Sequence, residues 1–293
     1  MSDEIEGHGG VHALAVARAH GVETMFTLSG AHVFPIYDAA VTSDPPTRIL
    51  DVRHEQTATF AAEATGKLTR RPGLAVLTAG PGVTNGVSAM AQAAFSGAPM
   101  VVIGGRSPDN RWGQGALPEL DHVAVVESMT RYAATAHSAG DIARLTDEAF
   151  TAAATPHRGP AFLDVPLDHF FDSADAPMPA VTTPRGETPD GDAVAAVADL
   201  LAAATHPLLI LGTDVWLDGA EEAALRLVEG LGVPALTNGQ GRGVIPGGHP
   251  LLVTKARSAA LGGADLVIVV GTPLDFRLGY GLFGGKDGAP LAK

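Results

Sequence analysis

The chain has 293 residues, of which 46% are apolar and 17% charged, a globular composition long enough for two ordinary α/β domains. Its formal charge of -13 repels phosphate backbones and anionic lipid heads, so neither nucleic acid nor a membrane is an expected partner. It contains no cysteine, which excludes disulfides, thiolate nucleophiles and cysteine metal sites. An acidic amino terminus without signal-peptide features, and the lack of a membrane-length apolar stretch, predict a cytoplasmic protein.

The first half of the chain alternates between aliphatic runs and helix-length segments. Strands are predicted at 24–28, 49–52, 73–78, 99–103 and 161–165, and helices at 11–20, 57–67, 84–95 and 141–154. Strands that are near-continuous aliphatic runs are typical of a parallel sheet covered by helices on both faces. Residues 1–171 are therefore predicted to form a first α/β domain.

The chain then changes character before the alternation resumes. Residues 172–190 carry scattered prolines and no periodicity, which predicts a linker. In the second domain, 191–293, Asp192 is a candidate N-cap for a helix whose Val194, Val197 and Leu201 share one face. Strands at 208–211, 233–235 and 265–271, with a helix at 220–231, predict a second α/β domain. It is about one strand and one helix short of a doubly wound sheet, so we expect the chain to be incomplete.

One acidic residue lies where a predicted strand meets a helix. The segment Arg53-His54-Glu55-Gln56 follows the strand Ile49–Val52 directly. Ligands bind at the carboxyl ends of the strands in open α/β sheets, which makes Glu55 a candidate catalytic residue. The alternative is that Glu55 only stabilises its helix, because an acidic residue in the first turn interacts favourably with the helix dipole.

A glycine-rich turn, Gly80-Pro81-Gly82, follows the next buried strand. Glycines on both sides of a proline allow the backbone to approach a flat ligand closely, and Asn85 in the first helical turn offers an amide. Taken alone, this turn is equally typical of ordinary helix capping. Its place about one βα unit after Glu55 favours a binding site.

Together these segments resemble the thiamine diphosphate enzymes, in particular their acetolactate synthase-like branch. Residues 49–168 are similar to the pyrimidine-binding domain of that family, and 239–246, 264–266 and 271–277 to its central domain. The resemblance implies two doubly wound parallel-sheet domains, the second Rossmann-like and incomplete. The matching segments of the first domain are Arg53-His54-Glu55-Gln56, Ala61-Ala62-Glu63-Ala64, Gly80-Pro81-Gly82 with Thr84-Asn85, Pro99-Met100-Val101, and Gly159-Pro160 leading to Asp164-Val165-Pro166.

The resemblance implies a catalytic role for Glu55. In the family the corresponding carboxyl group hydrogen-bonds the aminopyrimidine of thiamine diphosphate and drives it to the imino tautomer, which deprotonates the thiazolium carbon to give the ylid. Such a carboxyl group must be shielded from water to stay partly protonated near neutral pH. The other residues implied at the pyrimidine are Ser29, Gly30, Thr78, Pro81 and Asn85.

A second cofactor is implied for the central domain, which in relatives binds the nucleotide part of FAD, or ADP and CoA. Turn glycines and surface arginines explain the same residues equally well, and no Gly-x-Gly-x-x-Gly follows a strand. The positions implied for FAD or an ADP-like nucleotide are Arg158, Gly212, Thr213, Asp214, Gly271 and Arg277.

One departure from the family leaves the reaction open. Leu117 and Pro118 occupy positions where the resembling acetolactate synthases carry phenylalanine and glutamine, and Pro118 offers no side-chain amide. The expected substrate is a small 2-oxoacid, as in branched-chain amino acid biosynthesis. A 2-hydroxyacyl-CoA lyase-like cleavage of an acyl-CoA is the alternative, and so is a non-catalytic nucleotide-binding or assembly module.

The family also implies parts that these residues lack. Its diphosphate is bound through Mg²⁺ by a Gly-Asp-Gly segment, which is absent here, so we expect a further domain and an inactive isolated chain. A homodimer or homotetramer with the cofactor between subunits is implied. His8 and His12 lack a third metal ligand, and no metal site is predicted. The remaining histidines, including His54, His122 and His169, are expected at the surface or in caps.

Overall fold

The computed structural model describes residues 4–184, 186–284 and 291–292. The chain divides into two compact units, Met1–Arg185 and Gly186–Lys293. Each unit contains its own parallel sheet. Within the described ranges, no helix is both long and apolar enough to cross a membrane.

The first unit is built on a six-stranded parallel sheet. The strands of this unit are β1 Glu4–His8, β2 Thr24–Thr27, β3 Arg48–Asp51, β4 Gly73–Leu77, β5 Met100–Arg106, β6 Tyr132–Thr135, β7 Pro160–Pro166 and β8 Ser173–Pro177. The spatial order of the sheet is β3-β2-β4-β5-β7-β6, and all neighbouring strands are parallel. β1 and β8 form a separate antiparallel pair.

Helices cover both faces of this sheet. They are α1 Gly9–Ala19, α2 Phe34–Thr42, α3 Glu55–Thr69, α4 Pro81–Ser96, α5 His122–Val126, α6 Asp141–Ala154 and α7 Leu167–Phe171. α1, α2 and α6 pack on the face that carries Leu74 and Val76, whereas α3, α4 and α5 pack on the face that carries Ala75 and Leu77. Both faces are buried, so β4 has no polar side. The prediction of a parallel sheet covered on both faces is confirmed.

The two helices nearest the candidate site begin and end at residues suited to those places. The His54 ring accepts the Gln56 backbone N–H at 3.1 Å and caps α3, and Arg70 in the left-handed conformation ends it. Pro81 is the first residue of α4, where its missing N–H is no loss. Gly97 ends α4 with a φ of 65°.

The predicted linker needs a correction at its start. Ser173–Pro177 forms β8, which pairs with β1 and buries Ala176 against Ile5, Val16 and Ala143. Both strands are short and largely polar, and they are far apart in the sequence, so neither shows the aliphatic run that indicates a strand. β6 and α2 were missed as well.

The second unit contains a four-stranded parallel sheet. Its strands are β9 Pro207–Leu211, β10 Ala235–Thr237, β11 Leu266–Val270 and β12 Leu291–Ala292, in the spatial order β10-β9-β11-β12. Its helices are α8 Gly191–Ala203, α9 Thr213–Leu217, α10 Glu221–Leu231 and α11 Arg257–Gly263. The prediction of a second parallel α/β unit is confirmed.

The start of α8 differs from the prediction. Asp190, not Asp192, is the N-cap, and its side chain accepts the Asp192 backbone N–H at 3.0 Å. The two acidic residues are two apart, and the sequence does not distinguish which of them begins the helix. Val194 is 56% exposed, whereas Leu201 packs against the core of the unit, so the predicted apolar face is only partly covered.

Candidate functional site

The carboxyl ends of β2, β3 and β4 meet at one edge of the first sheet. Gly30 follows β2, Glu55 follows β3, and Thr78 and Gly80 follow β4. β2 and β4 are neighbours, but the connection after β2 runs to β3 on one side and the connection after β4 runs to β5 on the other. Such a reversal opens a crevice outside the carboxyl ends of the strands, which is where ligands bind in open α/β sheets.

Glu55 is buried at this edge, with a relative exposure of 8%. The side-chain amide of Asn85 donates a hydrogen bond of 2.9 Å to Glu55 Oε2. The other carboxylate oxygen, Oε1, lies 3.7 Å from the point where a Cβ on Gly82 would be. Glu55 therefore has one oxygen bound to α4 and the other next to a residue without a side chain.

The start of α4 requires glycine at two positions. Gly80 has φ 62° and ψ -116°, a conformation that other residues avoid, and a Cβ there would come within 2.4 Å of Pro118 Cβ. A Cβ on Gly82 would lie 2.7 Å from Thr78 Cγ2. The start of α4 thus approaches both Thr78 and the loop that carries Pro118 more closely than any side chain would allow.

His32 belongs to the same edge, although the sequence analysis did not single it out. Its Nδ1 lies 3.1 Å from Thr78 Oγ1, and Nε2 is buried without a hydrogen-bond partner among the described residues. Burial lowers the pKa of His32. The sequence does carry one signal for His32. It lies two residues after Gly30, just beyond the carboxyl end of the strand predicted at 24–28.

The other predicted residues of this unit are placed differently. Ser29 and Pro81 lie at the same edge but are exposed. Arg158 is buried and lies two residues before β7, at the amino-terminal end of a strand. Arg158 is therefore on the opposite edge of the sheet from Glu55, and the structure does not bring it to the pyrimidine residues.

The expectation for His122 was wrong. Its side chain is fully buried, its Nε2 accepts the Gly80 backbone N–H at 2.8 Å, and its Nδ1 lies 2.9 Å from Asp164 Oδ1. His54 caps α3 as expected. His169 contacts Asp109 at 3.3 Å. Spacing along the chain gave no signal for His122, because its partners come from β7 and from the turn after β4.

In the second unit the predicted residues gather at the carboxyl ends of β9 and β11. The Gly212 backbone N–H donates to Val270, and a Cβ on Gly212 would come within 2.3 Å of the Gly271 carbonyl oxygen. The Asp214 backbone N–H donates to the same carbonyl at 3.0 Å. Thr213 is buried and accepts the Gln240 backbone N–H at 3.3 Å. Two glycines therefore bring the two strand ends into backbone contact.

Arg277 is paired within its own turn. It donates to Asp275 from its backbone N–H and from Nε, each at 2.8 Å. Hydrogen bonding from the Arg277 side chain holds the pKa of Asp275 below its usual range. Gln240, which was not predicted as a site residue, has a buried Nε2 without a hydrogen-bond partner in the described part of the chain.

Two further features bear on ligands. A cavity of about 530 Å³ in the second unit is lined by Pro207, Leu231 and Ala264 among others, at the amino-terminal ends of the strands and away from Gly212 and Gly271. No group of three or more histidine, aspartate or glutamate side chains among the described residues is arranged to hold a metal ion.

Comparison with known families agrees with both units. Residues 8–125 match the model of the thiamine pyrophosphate enzyme N-terminal TPP binding domain, and residues 194–289 match the central domain of the same enzymes. The chain belongs to the thiamine pyrophosphate enzyme family. The family prediction is confirmed, and the pyrophosphate of this name is the diphosphate referred to above.

Curated proteins of two kinds are similar to the chain. A probable acetolactate synthase of Mycobacterium bovis and an acetolactate synthase large subunit of Mycobacterium tuberculosis are each 51% identical over 267 residues, which cover 90% of this chain and 48% of the relative. A 2-hydroxyacyl-CoA lyase 2 of Mus musculus is 33% identical over 311 residues, covering 94% of this chain and 49% of the relative. The chain spans about half the length of these relatives.

Proposed function

We propose that this chain binds the aminopyrimidine of thiamine diphosphate in an acetolactate synthase-like enzyme acting on 2-oxoacids. The observation that carries the proposal is the burial of Glu55 with its Oε2 bound by Asn85 and its Oε1 beside Gly82. When bound, thiamine diphosphate supplies the electron sink for carbon–carbon bond formation and cleavage next to a carbonyl group. The identity of 51% to acetolactate synthases supports this reaction class.

The residues of the site fit the aminopyrimidine. Glu55 Oε2 is occupied by the Asn85 amide, which leaves Oε1 to exchange a proton with a ring nitrogen. Gly82 adds no side chain next to Oε1, so a flat ring can approach it. Low exposure of Glu55 excludes water that would compete for the same proton. Gly30, Thr78 and Pro81, with Ser29 beside them, line the same edge.

The decisive experiment substitutes Glu55 by glutamine in the full-length protein with thiamine diphosphate and Mg²⁺ supplied. We expect turnover of a 2-oxoacid such as pyruvate to fall roughly 10²- to 10⁴-fold, the range for a lost acid/base group. Glu63→Gln is the matched control, because Glu63 is also buried on α3 but is bound by Lys67 and Ser96. Turnover within threefold of the wild type in Glu55→Gln, or an equal loss in both variants, would remove Glu55 from the mechanism.

A second candidate reaction is a 2-hydroxyacyl-CoA lyase-like cleavage. It is favoured by Pro118, which packs over Gly80 in the place of a side chain that carries an amide in the resembling acetolactate synthases. The resemblance to 2-hydroxyacyl-CoA lyase 2 over 94% of the chain points the same way. Parallel assays with pyruvate and with a 2-hydroxyacyl-CoA separate the two reactions by which substrate gives the higher kcat/KM. Glu55→Gln should slow either reaction, because Glu55 acts on the cofactor rather than on the substrate.

For the second unit we propose the binding of FAD or an ADP-like nucleotide at Gly212, Thr213, Asp214, Gly271 and Arg277. The close approach of the β9 and β11 ends and the unpartnered amide nitrogen of Gln240 support a ligand there. Flavin absorption of the purified full-length protein tests for FAD, and its absence together with nucleotide release on denaturation indicates ADP. We further propose a homodimer or homotetramer, which light scattering would test.

A further inference from the structure

A buried side-chain pair that the proposed mechanism does not use contacts the glycine turn. The Gly80 N–H donates to His122 Nε2, so this nitrogen must carry the lone pair and Nδ1 must carry the hydrogen. Nδ1 then donates to Asp164 Oδ1 at 2.9 Å. Both side chains are fully buried. The hydrogen bonds therefore define one neutral tautomer of His122 and one direction for each bond.

Asp164 is in turn connected to a cation and to a loop. Its Oδ2 lies 3.8 Å from Arg106 Nη1, which donates to Thr135 Oγ1, and the Arg106 guanidinium lies 3.8 Å from the centre of the Trp112 ring. Burial raises the pKa of Asp164, while the hydrogen bond from His122 and the charge of Arg106 oppose that rise. The chain of contacts runs from Gly80 through His122, Asp164 and Arg106 to Trp112.

The Gly80 turn is enclosed between His122 and Pro118. Pro118 lies against the side where Gly80 would carry its Cβ, and the ring of His122 receives the Gly80 N–H. The same turn begins α4, whose Asn85 binds Glu55. A shift of the turn would therefore move both Asn85 and Gly82 relative to the Glu55 carboxylate.

We propose that His122 and Asp164 are positioning residues that fix the Gly80 turn, and with it the orientation of Glu55 and Asn85 toward the aminopyrimidine. This inference rests on the proposed function. A solely space-filling role does not account for the arrangement, because burying polar side chains is costly and both nitrogens of His122 and Oδ1 of Asp164 are hydrogen-bonded. The remaining atom, Asp164 Oδ2, has no hydrogen bond among the described residues and lies at ion-pair distance from Arg106. An apolar residue at 122 would leave the Gly80 N–H, a buried donor, without an acceptor.

Three variants of the full-length protein separate positioning from packing. His122→Gln keeps an acceptor for Gly80 and a donor for Asp164, and should behave like the wild type. His122→Leu keeps the volume but removes both hydrogen bonds. In Asp164→Asn the amide oxygen should face Arg106, so the amide nitrogen faces His122 and forces the other tautomer, which sets Nε2–H against the Gly80 N–H.

We expect His122→Leu and Asp164→Asn to raise the thiamine diphosphate concentration for half-maximal activity by roughly 10- to 100-fold, the cost of an unsatisfied buried donor. In His122→Gln this concentration should stay within about threefold of the wild-type value. Hydrogen–deuterium exchange at the Gly80 amide, measured without cofactor, should accelerate in His122→Leu and Asp164→Asn but not in His122→Gln. His12→Leu is the matched control. His12 is equally buried but contacts the carbonyl oxygens of Ala139 and Ala174, so its loss should lower thermal stability without changing cofactor affinity.

Two outcomes would overturn the proposal. One is unchanged cofactor affinity and Gly80 exchange in His122→Leu and Asp164→Asn. The other is an equal loss in all three variants, including His122→Gln, in proportion to their loss of thermal stability, which would indicate packing alone. Failure of the proposed function is separate, because Glu55→Gln would then retain turnover while Gly80 exchange still responded to His122→Leu.

Discussion

The two units use the same edge of the same kind of sheet for different contacts. In the first, the edge presents a buried carboxylate, Glu55, bound by the amide of Asn85. In the second, the edge presents backbone, because Gly212 and Gly271 bring the ends of β9 and β11 together. The cationic side chain predicted there, Arg277, is already paired with Asp275.

Under the proposed function, the difference suits the two edges to two kinds of ligand. A proton-transfer site needs a side chain whose environment is controlled, and so buries it and occupies one of its oxygens. A nucleotide site needs backbone donors and close approach, and so removes side chains. If this distinction is right, equivalent glycine substitutions at the two edges should have different consequences.

Among substitutions of glycines at the two edges, the largest expected effect is that of Gly82→Val in the first unit. Its Cβ would lie 2.7 Å from Thr78 Cγ2 and its methyl groups would crowd Glu55 Oε1, displacing the carboxylate from the ring. We expect thiamine diphosphate affinity to fall roughly 100-fold, comparable to losing several kcal/mol of oriented contacts. Titration of activity with cofactor measures it. Binding of the nucleotide proposed for the second unit should remain at the wild-type level, and its loss would contradict the separation of the two edges.

Gly271→Val is the reciprocal substitution. Gly271 has a φ of 65°, and a Cβ there would lie 2.9 Å from Asp214 Cβ, so the variant is strained as well as crowded. We expect it to cost about 2 kcal/mol of unfolding free energy and to lower nucleotide content. Urea denaturation and quantification of released nucleotide check this. Gly263→Val, at a glycine with open space and no positive φ, is the control for the substitution itself.

A smaller effect is expected for Asn85→Ala, which frees Glu55 Oε2. Loss of one hydrogen bond to a carboxylate should lower turnover roughly 10-fold. In a Glu55→Gln background the same substitution should have almost no effect, because Asn85 acts through Glu55. A double-mutant cycle measures this coupling, and additive effects of the two substitutions would show that Asn85 contacts the ligand independently.

Local sequence was enough to predict the parts of the fold in which neighbouring residues act together. The aliphatic runs of β4, β5 and β7 and the adjacent turn at Gly80 determine their own structure, and both were predicted. β8 was not, because its polar sequence becomes a strand only by pairing with β1, more than 150 residues away. Nor was the choice of Asp190 over Asp192 as a cap, since the two differ only in backbone geometry.

The candidate site divides in the same way. Glu55 and Asn85 were predicted, through their places after strands and through the family resemblance. His122 was assigned to the surface or a cap because its partners, Gly80 and Asp164, are each 42 residues away in sequence. His32 escaped notice for the same reason, since only the structure shows its contact with Thr78.

The smallest effect at neutral pH is expected for His32, and it sharpens the comparison because the second unit has no histidine at its glycine edge among the described residues. Burial lowers the pKa of His32 below 6.5, so the unfolded chain takes up a proton that the folded chain resists. The stability contributed by neutral His32 is therefore fully present above pH 6.5 and is lost as the pH falls toward the folded-state pKa. The loss is limited to about 1.4 kcal/mol per pH unit.

Urea unfolding of the wild type and His32→Gln should give a constant stability difference above neutral pH and a shrinking advantage of the wild type below it. A difference that stays constant down to pH 5 would show that His32 is protonated in the folded protein as readily as in the unfolded chain.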